Sequence, residues 1–288
     1  MSDSPVAIVA GTGRLPELLA SSITSSGRKV LLVLMGGFQP DWAAGYTSFE
    51  AAFEKPGRVF DALSKAGCNE LIFAGAIVRP RLNPLKFDAK MISIALKVLP
   101  ALKGGDNRAL NVIREICEVE GLTIVGAHHY LEELLAPVGT LTKSTPTQND
   151  FADIERAKSI VKHLGHADTG QGAVVAQGLC LGLETVQGTD VMLDFVANTA
   201  SNYRPDAKGG QGILLKAPKP GQDWRIDLPA IGPETVENAA KAGLSGIALQ
   251  SKSVLILGIE ETVDRANKLG LFIHAFGVED LPDTQAPQ

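Results

Sequence analysis

The chain has 288 residues, 45% of them hydrophobic and 20% charged, with 30 glycines and a formal net charge of -5. This length suits two domains with a core each, and the Gly-rich, apolar composition is that of an α/β protein and excludes a largely disordered chain. The acidic balance, with no dense Lys/Arg cluster, argues against a nucleic-acid partner and leaves any phosphate-bearing ligand to be a small molecule.

In chain order, "VAIVAGTGRLPELLASSI" from Val6 reads as a buried strand, a glycine turn and a helix with Pro16 in its first turn, where a missing N–H is tolerated. A glycine turn that opens a helix can present its amides to phosphate. Here, however, Pro16 replaces the third glycine of the dinucleotide fingerprint, and the second strand runs into "LLVLMGG" without a ribose-binding acid. Gly11 and Gly13 are therefore either a phosphate cradle or a tight turn, and an NAD site is not expected. "KVLLVLM", "NELIFAG" and "LTIVGAH" supply three more strands, with helical patterns at 55–66 and 107–120 between them. Short apolar strands alternating with helices predict a parallel sheet covered on both faces.

Several polar positions in this half could carry chemistry. "FAGAIVRPRLNP" places Arg79 and Arg81 just beyond a strand end, where open α/β sheets bind ligands, although solvated arginines would look the same. "GGDN" at 104–107 sets Asp106 and Asn107 at a helix start, as cap or as ligand. "REICEVEGL" at 114–122 approaches the metal-binding Nudix helix but has Val119 where a carboxylate is needed. It reads better as an amphipathic helix burying Leu110, Ile113, Ile116 and Cys117, with Glu115 and Glu118 the residues a Nudix-like reading would need. His128 and His129 are adjacent but lack a HExxH partner or any Cys spacing, His163, His166 and His274 are scattered, and the three cysteines, Cys68, Cys117 and Cys180, have no paired spacing. A zinc site is not expected and a reducing, cytosolic compartment is, with neither a signal-type nor a membrane-spanning apolar run in view.

"PVGTLTKSTPTQND" at 137–150 interrupts the rhythm and predicts a linker, with Asn149 or Asp150 capping the next helix. The expected organisation is an N-terminal parallel-sheet domain at 1–136 and a second α/β domain at 151–288. The second half continues with a helix at 151–165, the strand pair "GAVVAQGLCLGLETV" turning at Gly178, and a helix opened by Gly188, Thr189 and Asp190. Then come the strand "GILLK", a helix from Pro233, and the strands "GIALQ" and "SVLIL". Between them, "KPGQDWRIDLPAIG" at 219–232 is bracketed by Pro220, Gly221, Pro229 and Gly232 and predicts an extended segment. Alternation would then put Asp223, Arg225 and Asp227 on one face and Trp224, Ile226 and Leu228 on the other. With Lys216, Lys219 and Gln222 close by, the segment is either a self-neutralising salt-bridge cluster or a phosphoryl-transfer site. In the latter, carboxylates offer oxygens to Mg²⁺ and cations meet the phosphate oxygens.

The string "KPGQDWRIDLPAIGPETVENAAKAGLSGIAL" closely resembles the C-terminal domain of the LpxI-type UDP-2,3-diacylglucosamine pyrophosphatases of lipid A synthesis in Gram-negative bacteria. The likeness extends through "IVAGTGRLPELLA", "IFAGAIVRPRL", "GGDN", "VGAHHYLEELLAP", "GQGAVVAQG" and "ETVQGTDVML". The resemblance implies Mg²⁺-dependent hydrolysis, with Mn²⁺ as a second candidate metal, giving UMP and 2,3-diacylglucosamine 1-phosphate (lipid X) from a substrate held between an N-terminal Rossmann-like domain and a distinct α/β domain. It implies Asp227 and Asp223 as catalytic residues and metal ligands and Arg225 as a catalytic cation, with Gly11, Gly13, Arg79, Asn107, Gln171, Thr189, Lys216 and Gln222 as substrate contacts. A substrate with two acyl chains implies a peripheral location on the cytoplasmic membrane surface, and a homodimer is left open. "MISIALKVLP" at 91–100, with Lys86, Lys90, Lys97 and Lys103 around it, is then either an acyl-contact and anionic-lipid surface or an ordinary core helix. A Nudix-like hydrolase of soluble nucleotide sugars and a non-catalytic nucleotide or lipid carrier are the alternatives.

Overall fold

The computed structural model describes residues 4–77 and 80–277, and of Asp106 the backbone alone. The chain divides into two units: residues up to Glu132 together with Asp223–Asp227, and Glu133–Gln222 together with the chain from Leu228 onward. A five-residue piece of the C-terminal half is thus part of the first unit.

In the first unit the elements are β1 (Val6–Ala10), α1 (Leu15–Ser25), β2 (Val30–Met35), β3 (Thr47–Ala51), α2 (Pro56–Ala66), β4 (Glu70–Ala74), α3 (Ala89–Ala101), α4 (Asp106–Val119) and β5 (Thr123–Ile124). The strands pair in parallel in the order β3-β2-β1-β4-β5, the order of a doubly wound sheet that reverses direction beside β1. Along β1 and β2, Ala7, Val9, Leu31 and Val33 join a core with Leu63 of α2 and Cys117 of α4, and Ile226 of the inserted segment completes it. Their alternates Ile8 and Leu32 are fully buried as well, so both faces of the sheet are covered and the strands read as unbroken apolar runs. The edge strand β3, exposed at three of its five positions, lacks that signal.

The second unit holds β6 (Gly139–Thr140), α5 (Gln148–His166), β7 (Gly172–Ala176), β8 (Leu179–Leu183), α6 (Gly188–Thr199), β9 (Ile213–Lys216), β10 (Ala230–Ile231), α7 (Pro233–Lys241), β11 (Gly246–Gln250), β12 (Leu255–Ile256), α8 (Ile259–Leu269) and β13 (Phe272–Phe276). Its mixed sheet runs β6-β13-β11-β9-β7-β8, with β9, β11 and β13 parallel, and β10 and β12 form a separate parallel pair. One sheet face packs Val174, Leu214, Ile247 and Ile273 against Leu193, Val196, Val236 and Ala266 of α6, α7 and α8. The other packs Ala173, Leu215 and Phe272 against Ile154, Ala157 and Val161 of α5, which makes the unit a three-layer sandwich.

Two expectations change here. The stretch read as a linker contains β6, an antiparallel edge strand on β13. The cap of α5 is Thr147, whose hydroxyl accepts from the Asp150 backbone N–H while the Asp150 carboxylate accepts from the Thr147 backbone N–H; Asp150 completes this capping box from inside the helix. The hairpin at Gly178 forms as expected. Gln177 and Gly178 both have positive φ, at 54° and 80°, and their N–H groups donate to the buried Asp153 carboxylate at 2.9 and 2.7 Å.

Candidate functional site

The segment Asp223–Asp227 is a tight turn, which overturns the extended reading. The N–H groups of Ile226 and Asp227 both donate to the Asp223 carbonyl, at 3.0 and 3.3 Å, and Asp223 Oδ1 accepts from the Arg225 backbone N–H at 3.0 Å. The cause is local: an Asp side chain that captures the N–H two residues on offers the backbone an alternative to extension. Sides are therefore not assigned by alternation. Ile226 points into the first unit's core, only 7% exposed, while Trp224 is half-buried and Arg225 is exposed.

The turn brings opposite charges together. Arg225 grips Asp223 with two nitrogens, Nε on Oδ1 at 2.9 Å and Nη2 on Oδ2 at 2.6 Å. Arg114 of α4 sets its Nε 3.3 Å from Asp223 Oδ2, an electrostatic contact without hydrogen-bond alignment, and its Nη1 donates to Glu118 at 2.6 Å. Glu118 also accepts from Arg225 Nη1 at 3.3 Å, closing a ring of two guanidiniums and two carboxylates. The hydrogen bond from Arg225, opposed by partial burial, holds Asp223 below the usual carboxylate range, and the same bond raises Arg225. Both oxygens of Asp223 are thus committed, and a cation could use them only by displacing Arg225. Arg114 and Glu118 meet the segment only through the fold, more than a hundred residues along the chain. Pairing of Glu118 with two guanidiniums also removes the carboxylate a Nudix-like site would need.

Gly126, just after β5, adjoins this turn. A Cβ there would lie 3.0 Å from the Trp224 carbonyl oxygen and 2.4 Å from His128 Cε1, so only glycine lets the backbones meet this closely.

At the carboxyl ends of β1 and β4, the amides of Gly11 and Thr12 donate to the carbonyls of Ala74 and Ala76, both at 2.8 Å. A Cβ on Gly11 would stand 2.4 Å from the Ala76 oxygen, and Gly13 has φ of 96°. These glycines therefore serve close packing and a turn, with the Gly11 amide spent internally. Arg79 lies outside the described residues. Asn107 is in the first turn of α4, whose N-cap is Gly105, and accepts weakly from Asn111 at 3.5 Å.

The second unit gathers the remaining predicted residues in two polar groups, each built around a buried lysine. The Lys216 ammonium, at the end of β9, donates to Thr189 Oγ1 at 2.7 Å and the Ala230 carbonyl at 3.3 Å, and lies 3.6 Å from Glu184 Oε1. Thr189 Oγ1 donates to Glu184 Oε1 at 2.8 Å, so its hydroxyl links base and acid instead of capping α6, whose N-cap is Gln187. Lys216 and Glu184 are 5% and 7% exposed, and a buried ammonium is tolerable because the carboxylate compensates it. Gln222, also buried, accepts from the Lys219 N–H at 2.7 Å and reaches Gln171 at 3.4 Å, and Lys219 pairs with Asp168 at 2.7 Å. Glu184 and Asp168 went unnoticed in the sequence, because nothing local marks a carboxylate that meets its partner across a sheet.

The family model of the LpxI N-terminal domain matches residues 5–134, and that of the LpxI C-terminal domain matches residues 137–274. A protein from Caulobacter vibrioides, described as UDP-2,3-diacylglucosamine pyrophosphatase LpxI, is 36% identical over 275 residues, covering 96% of this chain and 98% of its own. The solved structure of CobK precorrin-6A reductase aligns with 99% of this chain and 90% of its own at 13% identity and a TM-score of 0.34, a likeness too slight to bear on fold or function.

Proposed function

The chain belongs to the LpxI family, and on that premise we propose that it hydrolyses the pyrophosphate bond of UDP-2,3-diacylglucosamine, releasing UMP and 2,3-diacylglucosamine 1-phosphate. The observation that carries this reading is likeness at 36% identity to a pyrophosphatase through both domains, end to end, rather than through one motif.

Hydrolysis of a phosphoric anhydride requires an activated water and a means of neutralising charge that builds on the phosphoryl oxygens. In the proposed mechanism Asp227 activates the water. Arg225, exposed and presented on the turn, meets phosphate oxygens, and Asp223 acts as a positioning residue that holds the guanidinium by two bonds. Mg²⁺, or Mn²⁺ in its place, fits this donor set only as a cation with few protein ligands. Asp223 is committed to Arg225, and among the described residues no three His, Cys, Asp or Glu side chains converge. Asp227 is the residue proposed to hold it, with substrate phosphates completing the shell, and when bound the ion would withdraw charge from phosphoryl oxygens. Substrate contact by Gly13, Asn107, Gln171, Thr189, Lys216 and Gln222 belongs to the same proposal. Lys216 is the best supported of these, because a desolvated ammonium interacts strongly with any anion that reaches it. No helix among the described residues is long and apolar enough to cross a membrane, so a substrate with two acyl chains would be met at the bilayer surface.

The test is release of UMP from UDP-2,3-diacylglucosamine by purified protein, before and after EDTA and with Mg²⁺ restored. Asp227→Ala should lower turnover by about a hundredfold or more while substrate still binds. Binding without turnover at any metal concentration would make the protein a carrier. Loss of activity in Glu118→Gln with Asp227→Asn tolerated would transfer the chemistry to α4.

A further inference from the structure

We propose that α3 and the turn leading into it form a docking face for an anionic lipid bilayer, which deepens the membrane-surface part of the reading above and rests on it for biological purpose alone. A helix in an α/β unit normally turns its apolar stripe inward. In α3 Met91 and Ala101 do so, but Ile92, Leu96 and Leu99, spaced i, i+4 and i+7, face outward with Ile92 and Leu96 64% and 91% exposed. Leu85, in the preceding turn, is 95% exposed. Four large aliphatic side chains left to solvent in one short stretch form a patch of the kind that marks an interaction surface.

The charge around the stripe selects the partner. Between Arg81 and Lys103 the sequence has five cations and one acid, Asp88, a local balance of +4 in a chain whose total is -5. Asp88 is spent on the backbone, accepting from the Met91 and Gly57 N–H groups at 2.7 and 2.8 Å. Lys90 pairs with Glu120, but Lys86, Lys97 and Lys103 join no ion pair among the described residues. Outward leucines with uncompensated lysines beside them are the composition of a helix that lies in a lipid interface, aliphatic side chains below the headgroups and ammonium groups among the phosphates. A second copy of this chain suits the face poorly, because a twofold contact would set Lys86, Lys97 and Lys103 of one copy against the same lysines of the other.

The experiment is cosedimentation of the full chain with vesicles of phosphatidylcholine alone and of phosphatidylcholine with phosphatidylglycerol, at low and high salt. The parent should bind only the anionic vesicles and be released by salt. Each lysine near an anionic surface is worth about fivefold in partitioning, so Lys86→Gln, Lys97→Gln and Lys103→Gln together should weaken binding about a hundredfold. Leu96→Glu should abolish it. These side chains are exposed, so thermal unfolding should be unaltered, and hydrolysis of detergent-dispersed substrate should be unchanged. Absence of binding in the parent, or equal binding by parent and variants, would overturn the docking face, as would a Leu96→Glu variant whose only effect is to convert a dimer to a monomer. Loss of hydrolysis with vesicle binding intact would instead count against the pyrophosphatase reading.

Discussion

Asp223 and Arg225 are two residues apart and were legible in the sequence as a charged pair, yet their geometry was not. Alternation assumes an extended backbone, and the Asp223 side chain defeats it by taking the Arg225 N–H, a choice that no periodicity reveals. The pair makes a pH prediction. A carboxylate whose value is depressed in the folded state contributes stability that is present above its unfolded value, near 4, and is lost as pH falls through the lower folded value. Acid unfolding of the parent should therefore include a component that Asp223→Asn removes, seen as a flatter dependence of the urea midpoint on pH below about 4. Arg225→Lys keeps the charge but cannot reproduce the two-nitrogen grip on Asp223, and should lower kcat at least tenfold with little change in overall stability. A shift in KM alone would place Arg225 in binding rather than in the reaction. Gly126→Ala asks the same question through the backbone: its Cβ must push the Trp224 carbonyl or the His128 ring away, so turnover should fall although no charged group has been touched.

At the scale of elements, what could be read followed burial. β1, β2 and β4 were visible because both faces of the sheet are covered and every position but Glu70 is apolar, whereas β3 and the two-residue strands β6 and β10 were not, being exposed or too short to show a period; β12 was read within "SVLIL", and β13, although buried, was not assigned. The helical pattern of 91–100 was readable, but its orientation was ambiguous, since an apolar stripe looks alike whether it faces a core or a membrane. The hairpin of β7 and β8 was placed by its glycine, while the carboxylate that holds it comes from a helix 24 residues earlier. Asp153→Ala would strand two turn amides beside a vacated site. Loss of two hydrogen bonds to a charged acceptor should cost about 2–3 kcal/mol, measured by chemical denaturation, with turnover at permissive temperature preserved. A cost below about 0.5 kcal/mol would show that the turn residues alone set the hairpin.

For the whole molecule, the two-domain α/β plan was legible from alternating strands and helices, but the return of Asp223–Asp227 to the first unit was not, because only a long-range contact defines it. The three cysteines are built-in reporters of that return. Cys68 and Cys117 lie in the same first-unit core as Ile226, whereas Cys180 is exposed on β8 of the second unit. Burial pushes the Cys117 thiol up to about 12 and raises Cys68 as well, so neither offers thiolate near neutral pH while its unit stays closed. In the native protein a thiol reagent should modify Cys180 first and the other two only as fast as the first unit opens. Ile226→Ala removes a buried side chain from that core, a change expected to cost about 2–5 kcal/mol. If the segment is an integral part of the first unit, the variant should accelerate labelling of Cys68 and Cys117 by about thirtyfold or more, a factor of ten for each 1.4 kcal/mol when opening is at equilibrium, and leave Cys180 unchanged. It should also lose turnover, because the same side chain anchors the turn that carries Arg225 and Asp227. Identical labelling of Cys68 and Cys117 in parent and variant would mean that the segment rests on the first unit without supporting it.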